Sequence, residues 1–193
     1  MSTRSDWPIK LREGELFLRP LRIRDKKVWD LTRAKNREWL SPWEATRPEI
    51  ESHLPPISFL GMVLQYRKDG EALRSISLGI WLLESGKESF IGQITMGGIT
   101  FGAMRGAHIG YWIDQEFANQ GHITKAVSLL TNFGLNELAL HRVEINLRPE
   151  NSASKRVAEK CGYVLEGERS RYLHIDGAWR DHLTYVIENP KIK

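Results

Sequence analysis

A short turn in the middle of the chain has the residue types of a phosphate-binding site. It consists of Gln120, Gly121, His122, Ile123 and Thr124, between an apolar stretch and a segment with apolar residues at helical spacing. Gly121 leaves room for a ligand, and the first turn of a helix carries unpaired N–H groups at the positive end of its dipole. The turn predicts a diphosphate seat, although a plain strand-to-helix turn has the same pattern.

Two other residue types with reactive side chains are uninformative. His108 and His122 have no metal-ligand spacing with other histidines or carboxylates, so the sequence predicts no metal site. Cys161 is the one cysteine of the chain and is followed by Gly162, which is typical of a buried helix end rather than a nucleophile. A single thiol cannot form an internal disulfide, which suits a reducing compartment.

The elements before the turn follow from apolar periodicity. Alternation over residues 15–22 predicts a first strand, and Asp25 is a plausible N-cap for a helix that runs to about Asn36. Residues 57–73 predict another helix. From residue 75 the period changes to that of strands, and residues 75–84 and 90–100 predict an antiparallel hairpin.

The elements around and after the turn predict a strand-helix-strand unit. Residues 108–113 and 141–149 read as strands joined by the helix after the turn, so they should lie parallel in a right-handed crossover. Residues 152–160 predict a helix, and residues 163–173 and 180–187 predict a closing hairpin. No linker or repeat divides residues 1–193, so we expect a single domain.

Composition indicates a globular protein. The chain has 193 residues, 41% hydrophobic and 27% charged, without an apolar run long enough to span a membrane or an N-terminal signal peptide. We therefore expect a cytoplasmic protein with no membrane partner. The net charge of +4 comes from scattered basic residues and is typical of a solvated surface. It also suits a phosphorylated cofactor or proximity to a ribosome, but not direct nucleic acid binding.

Four segments, in this order along the chain, carry a family resemblance. They are residues 36–44 (NREWLSPWE), the turn at 118–123, the run Asn151-Ser152-Ala153-Ser154 followed by Gly162-Tyr163, and residues 165–182 (LEG followed by IDGAWRDH). Together they resemble the RimJ and RimL branch of the GCN5-related N-acetyltransferases. The turn departs from the family pattern, because only Gly121 matches and Ala118 stands where a polar side chain would bind pyrophosphate.

The resemblance implies a fold and a cofactor. The fold is α+β, a twisted and mostly antiparallel sheet flanked by helices, with one parallel pair that opens to admit acetyl-coenzyme A. The implied cofactor-binding residues are the backbone near Trp112 or Ile113, the seat formed by Gln120, Gly121, His122, Ile123 and Thr124, the nearby charge of Lys125, and Asn151 with Ser154. Ser154 is the implied donor to the leaving thiolate, unless Asn151 and its neighbours serve only to cap the helix.

The general base stays open at this stage. Leu173 occupies the position that matches the glutamate of RimL, so that role does not carry over. Glu144 and Glu44 are the candidate catalytic carboxylates, and either could act through water. Glu144 could equally be a structural partner of Arg142 or Arg180.

The resemblance also implies a reaction and its acceptor. Acetyl would pass from acetyl-coenzyme A to a protein N-terminal α-amino group, an alanine of a ribosomal protein, by direct attack in a ternary complex. Trp43 would lie against the first acceptor residue while Glu44 attracts its ammonium. Two alternatives remain: acetylation of a small amine such as a polyamine, aminoglycoside or amino acid, and a non-catalytic module that binds coenzyme A or associates with RNA.

Overall fold

The structure, a computed structural model, describes residues 7–51 and 55–192. Residues 1–6, on which part of the signal-peptide prediction rests, lie outside this range. In the described ranges no helix combines the length and apolar character needed to cross a membrane.

Within the described residues, eight strands form one sheet. Their bounds are Leu11–Glu13 (β1), Leu16–Arg19 (β2), Ile76–Glu84 (β3), Lys87–Thr100 (β4), Gly106–Ile113 (β5), Arg142–Leu147 (β6), Val164–Ile175 (β7) and Ala178–Glu188 (β8). The spatial order is β1-β2-β3-β4-β5-β6-β8-β7. Of the eight described strands, only β5 and β6 pair in parallel. The mixed sheet confirms the predicted α+β fold.

Helices and turns connect these strands. The helices are Lys26–Lys35 (α1), Arg37–Leu40 (α2), Phe59–Glu71 (α3), His122–Asn132 (α4) and Ser152–Lys160 (α5). A π-helical turn, Phe133–Glu137, continues α4, and short 3-10 turns occur at Ile23–Asp25, Ser41–Trp43, Glu49–Glu51 and Gln115–Phe117.

The two faces of the sheet pack against different helices. On one face, Ile123, Val127 and Leu130 of α4 pack with alternate residues of β3 such as Leu78 in the main core. On the other face, Trp81 of β3 packs with residues of α1 and α3. This division follows from the two-residue period of a strand, and it confirms the apolar stripe predicted for α4.

Two details near the N-terminus differ from the sequence prediction. The predicted first strand is shorter, Leu16–Arg19, and a further strand, β1, precedes it. Asp25 is the N-cap residue of α1, as predicted, but its carboxylate accepts from Arg19 Nη1 and from Arg22 N, each at 2.7 Å, and makes no capping hydrogen bond to α1. The buried Arg19 guanidinium captures this carboxylate because an unpaired buried charge is costly.

Candidate active site

The two parallel strands separate after a short contact. β5 and β6 pair only at Gly106 with Arg142, Ala107 with Val143, and His108 with Glu144. Farther along, β5 stays paired with β4, and β6 stays paired with β8. The sheet therefore contains a wedge, which we define as the opening between residues 109–113 of β5 and 145–147 of β6.

The register of β5 decides which backbone groups face the wedge. Asp114 N donates to Ile91 O of β4 at 2.8 Å. Because successive residues of a strand direct their backbone groups to opposite sides, Trp112 also faces β4, whereas Tyr111 and Ile113 face the wedge. Ile113 O accepts there from Trp39 Nε1 at 3.2 Å. Of the two amides named from the sequence, that of Ile113 has the wedge-facing direction.

A cavity of about 880 Å³ follows the wedge. Three predicted site residues lie outside its wall. Gln120 turns away, with Nε2 donating to Glu116 O at 2.7 Å, Lys125 is an exposed residue of α4, and Glu144 lies on β6. The predicted residues that do line the cavity are Trp43, Glu44, Trp112, Ile113, Gly121, His122, Ile123, Thr124, Asn151 and Ser154.

The turn before α4 is open toward the cavity. Gly121 is the N-cap residue with φ of 83°, a left-handed conformation that favours glycine, and a Cβ there would meet nothing within 4 Å. The N–H groups of His122, Ile123 and Thr124 are the first of the helix and have no intrahelical acceptor. Open space, unpaired donors and a strand edge in the wedge together fit the diphosphate and amides of acetyl-coenzyme A.

Ser154 and Tyr111 meet in the wedge. Asn151 Oδ1 accepts from Ser154 N at 2.9 Å, so Asn151 caps α5, and Ser154 lines the cavity. Burial raises the pKa of Tyr111 to about 12, against a smaller lowering by the Ser154 side chain. The Tyr111 hydroxyl is buried and makes no well-formed hydrogen bond within the described residues.

The opposite wall of the cavity is aromatic. Trp29 Nε1 donates to Gln93 Oε1 at 3.2 Å, and Gln93 Nε2 donates to Tyr66 Oη at 3.1 Å. Trp43 is 38% exposed, and the Arg148 guanidinium lies 5.5 Å from its ring centroid. A flat surface that is partly exposed in this wall suits contact with a peptide.

The loop that carries Trp43 is tied to the closing hairpin. Thr46 N donates to His174 O at 2.9 Å, Asp176 N donates to Glu44 O at 3.1 Å, and Gly177 N donates to Thr46 Oγ1 at 3.0 Å. This loop, from Pro42 to Thr46, is therefore held in place by the turn between β7 and β8.

Glu44 is paired. Its carboxylate accepts a short hydrogen bond from Arg33 Nη2, and the Arg33 guanidinium also lies 5.1 Å from the Trp112 ring centroid. The Glu44 side chain is 35% exposed and lines the cavity, so a charged pair faces the acceptor side.

Glu144 is held more firmly. It is 8% exposed and accepts from Arg142 Nη2 at 3.0 Å and Arg169 Nη2 at 3.1 Å. Of its two expected arginine partners, Arg142 is present, and the second is Arg169 rather than Arg180. Two guanidinium groups on one buried carboxylate are the arrangement of a structural charge.

Sequence reasoning did not identify several residues of the cavity wall. His108, Tyr111, Gln93 and Arg33 come from strands and helices whose amphipathic patterns give no functional signal. They become neighbours only through the pairing of β4, β5 and α1.

The remaining reactive side chains form no further centre. Cys161 lies between α4 and α5, where burial raises the pKa of its thiol and Sγ contacts Thr124 O at 3.4 Å. In the part of the chain that the structure describes, no group of three or more histidine, cysteine or carboxylate side chains is placed to hold a metal ion.

Comparison with known proteins gives consistent matches. Residues 15–164 match an acetyltransferase (GNAT) domain. The chain is 29% identical over 193 residues to the [ribosomal protein uS5]-alanine N-acetyltransferase of Escherichia coli (strain K12), covering 97% of this chain and 95% of that protein. Mycobacterium smegmatis RimJ in complex with CoA-disulfide superposes with a TM-score of 0.85 and 32% identity, covering 96% of this chain and 90% of that chain.

A further solved structure agrees. The ribosomal-protein-S5-alanine acetyltransferase from Vibrio fischeri has a TM-score of 0.82 and 25% identity, covering 96% of this chain and 99% of that chain. The GNAT domain match takes in 150 of the 193 residues, and its relatives are of the RimJ and RimL type. The chain therefore belongs to the GNAT family of acetyltransferases.

Proposed function

We propose that this chain transfers acetyl from acetyl-coenzyme A to the α-amino group of a protein N-terminus, with alanine of a ribosomal protein as the favoured acceptor. The Escherichia coli and Vibrio fischeri relatives are named for this reaction on ribosomal proteins uS5 and S5. The observation that carries the proposal is one continuous cavity, which joins the turn at Gly121 to the aromatic wall around Trp43.

The cofactor side of the wedge would hold the diphosphate at the N-terminus of α4. The N–H groups of His122, Ile123 and Thr124 donate to it, and Arg156 and Lys160 of α5 line the same cavity with positive charge. Acetyl-coenzyme A supplies the acetyl group as a thioester. Lys125 and Gln120 contribute through the field and shape of the turn, because neither side chain lines the cavity.

The reacting centre would lie where β5 leaves β6. The Ile113 N–H faces this space and stabilises negative charge on the carbonyl oxygen, which is the role of an oxyanion donor. Ser154 donates to the departing thiolate of coenzyme A, and Tyr111 behind it orients that hydroxyl. Asn151 holds Ser154 in place through the cap of α5.

The acceptor would enter from the opposite face. Trp43 packs against its first residue, and Glu44, although paired with Arg33, places a carboxylate near its ammonium. We place the reaction in the cytoplasm, where ribosomal proteins are made, and on a protein partner rather than a membrane.

A panel of acceptors tests the proposal. Peptides that begin with alanine, serine or methionine, together with spermidine and an aminoglycoside, would be offered with acetyl-coenzyme A, and thiol release would be measured. We expect the highest kcat/KM with an alanine peptide that has the sequence of a ribosomal protein N-terminus. Turnover with the small amines alone would overturn the acceptor, and tight coenzyme A binding without turnover, intact ribosomal protein included, would indicate a binding module.

A further inference from the structure

His108 stands at the closed end of the wedge. It is the last residue of β5 that pairs with β6. Its side chain lies on the same face of the sheet as that of Trp112, because the two residues are four positions apart and side chains alternate along a strand. The imidazole lines the cavity together with Thr95 and Tyr66. A titratable group therefore lies on the acceptor side of the strand that supplies the Ile113 amide.

Two consecutive glycines of β4 make room for this imidazole. A Cβ at Gly97 would lie 2.8 Å from His108 Nε2, and a Cβ at Gly98 would lie 3.1 Å from both Cε1 and Nδ1. Any side chain at either position would displace the ring. Within the described residues the ring makes no hydrogen bond that would occupy its nitrogens, so it is available to a ligand.

His108 is an exposed residue whose ring is partly covered, and its surroundings shift its pKa in opposite directions. Burial lowers the pKa of His108, and the charge of Glu144, its cross-strand neighbour on β6, opposes that shift. Glu144 is itself held by Arg142 of β6 and Arg169 of β7. From α3 the titratable group in the same wall is Tyr66, and β4 presents the uncharged residues Gln93 and Thr95.

We propose that His108 is the general base of the acetyl transfer. This inference rests on the proposed function. Five residues of β5, about 16 Å of strand, separate His108 from Ile113, so the proton must travel through a chain of waters in the cavity. By this route a nitrogen of the ring takes one proton from the acceptor ammonium, and the neutral amine attacks the thioester carbon. The C–N bond forms and the C–S bond breaks, with its electron pair passing to sulfur, which Ser154 protonates. The nitrogen that attacked loses its second proton through water to the Ser154 oxygen, which restores the hydroxyl. The proton on His108 returns to solvent, and the negative Glu144 stabilises the imidazolium that forms meanwhile.

The two carboxylates in the neighbourhood are less suited to this step. Glu44 is engaged by Arg33, and Glu144 by Arg142 and Arg169. A carboxylate that binds a guanidinium is a weaker proton acceptor, because protonation would break a charged pair. His108 has no such partner to lose.

The first experiment compares His108→Gln with His141→Gln across pH. His141 is a control, since it lies outside the cavity wall and has Glu188 as its charged neighbour at 4.0 Å. We expect His108→Gln to lower kcat/KM near neutral pH by about 100-fold, within the range for a general base. With increasing pH, the kcat/KM of the wild type should rise through the pKa of His108. The kcat/KM of the variant should rise only through the pKa of the acceptor amine, at about 8.

Coenzyme A affinity separates the base from a structural role. Calorimetry should give the same Kd for the wild type, His108→Gln and His141→Gln, because the imidazole lies on the acceptor face. A loss of less than threefold in kcat/KM, or an unchanged pH limb in His108→Gln, would overturn the proposal. The proposal would also fail if Glu44→Gln or Glu144→Gln lost the pH-dependent limb of kcat/KM while His108→Gln kept it.

A second acceptor tests the proton transfer itself. An acyl hydrazide analogue of the acceptor peptide is already neutral near neutral pH and needs no base before attack. We expect His108→Gln to lose at most about threefold with the hydrazide, against about 100-fold with the amine. Equal losses with both acceptors would show that His108 acts through structure alone.

A measurement without turnover checks the charge environment. The imidazole resonance that disappears in His108→Gln should titrate below the ordinary histidine value in the ligand-free protein, and Glu144→Gln should lower that pKa further. A resonance that titrates above the ordinary value would overturn the proposal. If the wild type acetylates only small amines, the proposed acceptor fails, and His108→Gln is then tested with the accepted amine.

Discussion

The hydroxyl groups of Ser154 and Tyr111 form a pair whose parts have different functions. Ser154 faces the cavity, whereas the Tyr111 hydroxyl is buried behind it without a well-formed hydrogen bond in the described structure. With its pKa raised to about 12, Tyr111 stays protonated and can donate to Ser154 throughout the working pH range. We therefore propose that Tyr111 positions Ser154 and that Ser154 donates to the thiolate.

Single and double variants of this pair test that order. We expect Ser154→Ala to lower kcat by about 100-fold and Tyr111→Phe by about tenfold, the scale of one proton-transfer contribution. Tyr111→Phe should change the free energy of unfolding by less than about 1 kcal/mol, because the hydroxyl has little hydrogen bonding to lose. The measurements are steady-state kinetics and urea unfolding.

The double variant carries the decisive comparison. If Tyr111 acts through Ser154, then Tyr111→Phe in the Ser154→Ala background should cost nothing more in kcat. Two losses that multiply would mean that the hydroxyls act independently, and Tyr111 would then have its own contact with the reacting atoms.

At the scale of single residues, sequence reasoning identified the carboxylates of the site better than it identified the arginines that pair with them. It named Glu144 and the arginine Arg142, but it could not find Arg169, which comes from β7 through the pairing of β7 with β8. It named Glu44 without Arg33, whose contact requires α1 to lie under the loop. Sequence reasoning gave His108 no role beyond the test for a metal site, since the space that its ring occupies is left by Gly97 and Gly98 on another strand.

At the scale of elements, the turn before α4 depends on a glycine that has both a left-handed backbone and open space in front of it. Gly86, in the turn between β3 and β4, has the same features, with φ of 79° and nothing within 4 Å of the place that a Cβ would take. Gly121→Glu and Gly86→Glu should therefore lose similar stability, about 1–2 kcal/mol each.

Only one of these two variants should lose the cofactor. Gly121→Glu places a carboxylate where the diphosphate would lie, so we expect no coenzyme A binding by calorimetry, whereas Gly86→Glu should keep the wild-type Kd. Equal affinities for the two variants would refute the placement of the diphosphate at this turn.

The elements themselves were largely predictable. The hairpin of β3 and β4, the parallel pair β5 and β6, and the closing hairpin are confirmed, because each has a clear period and a glycine or helical connection. β1 escaped prediction, since two of its three residues are charged. Asp25 is the N-cap residue of α1 as predicted, but its carboxylate makes no capping hydrogen bond because it pairs with Arg19 instead.

At the scale of the whole molecule, the wedge divides the sheet into two halves that share three residue pairs. A ligand that bonds to the free edge of β5 should join them. Amide exchange can detect this with single-residue resolution, because the strand alternates. In the free protein, the amides of Tyr111 and Ile113 should exchange quickly, and those of Gly110 and Trp112, which face β4, slowly.

Coenzyme A should slow exchange at the wedge-facing positions alone. It should also raise the free energy of unfolding by about 2.7 kcal/mol at a concentration of 100 times Kd. The two effects would be read by exchange mass spectrometry or NMR and by thermal unfolding. Protection that extends equally to Gly110 and Trp112 would indicate general stabilisation, and no protection at Tyr111 or Ile113 would place the ligand elsewhere.

The ties between the loop at Thr46 and the turn at Gly177 have a consequence for biosynthesis. The wall that would receive the acceptor is fixed by the turn between β7 and β8, and β8 is the strand that pairs with β6 on its outer side. A nascent chain that has not released residues 174–188 from the ribosome lacks both supports. We therefore expect a nascent chain to lack acetyltransferase activity until residues 174–188 have emerged and paired.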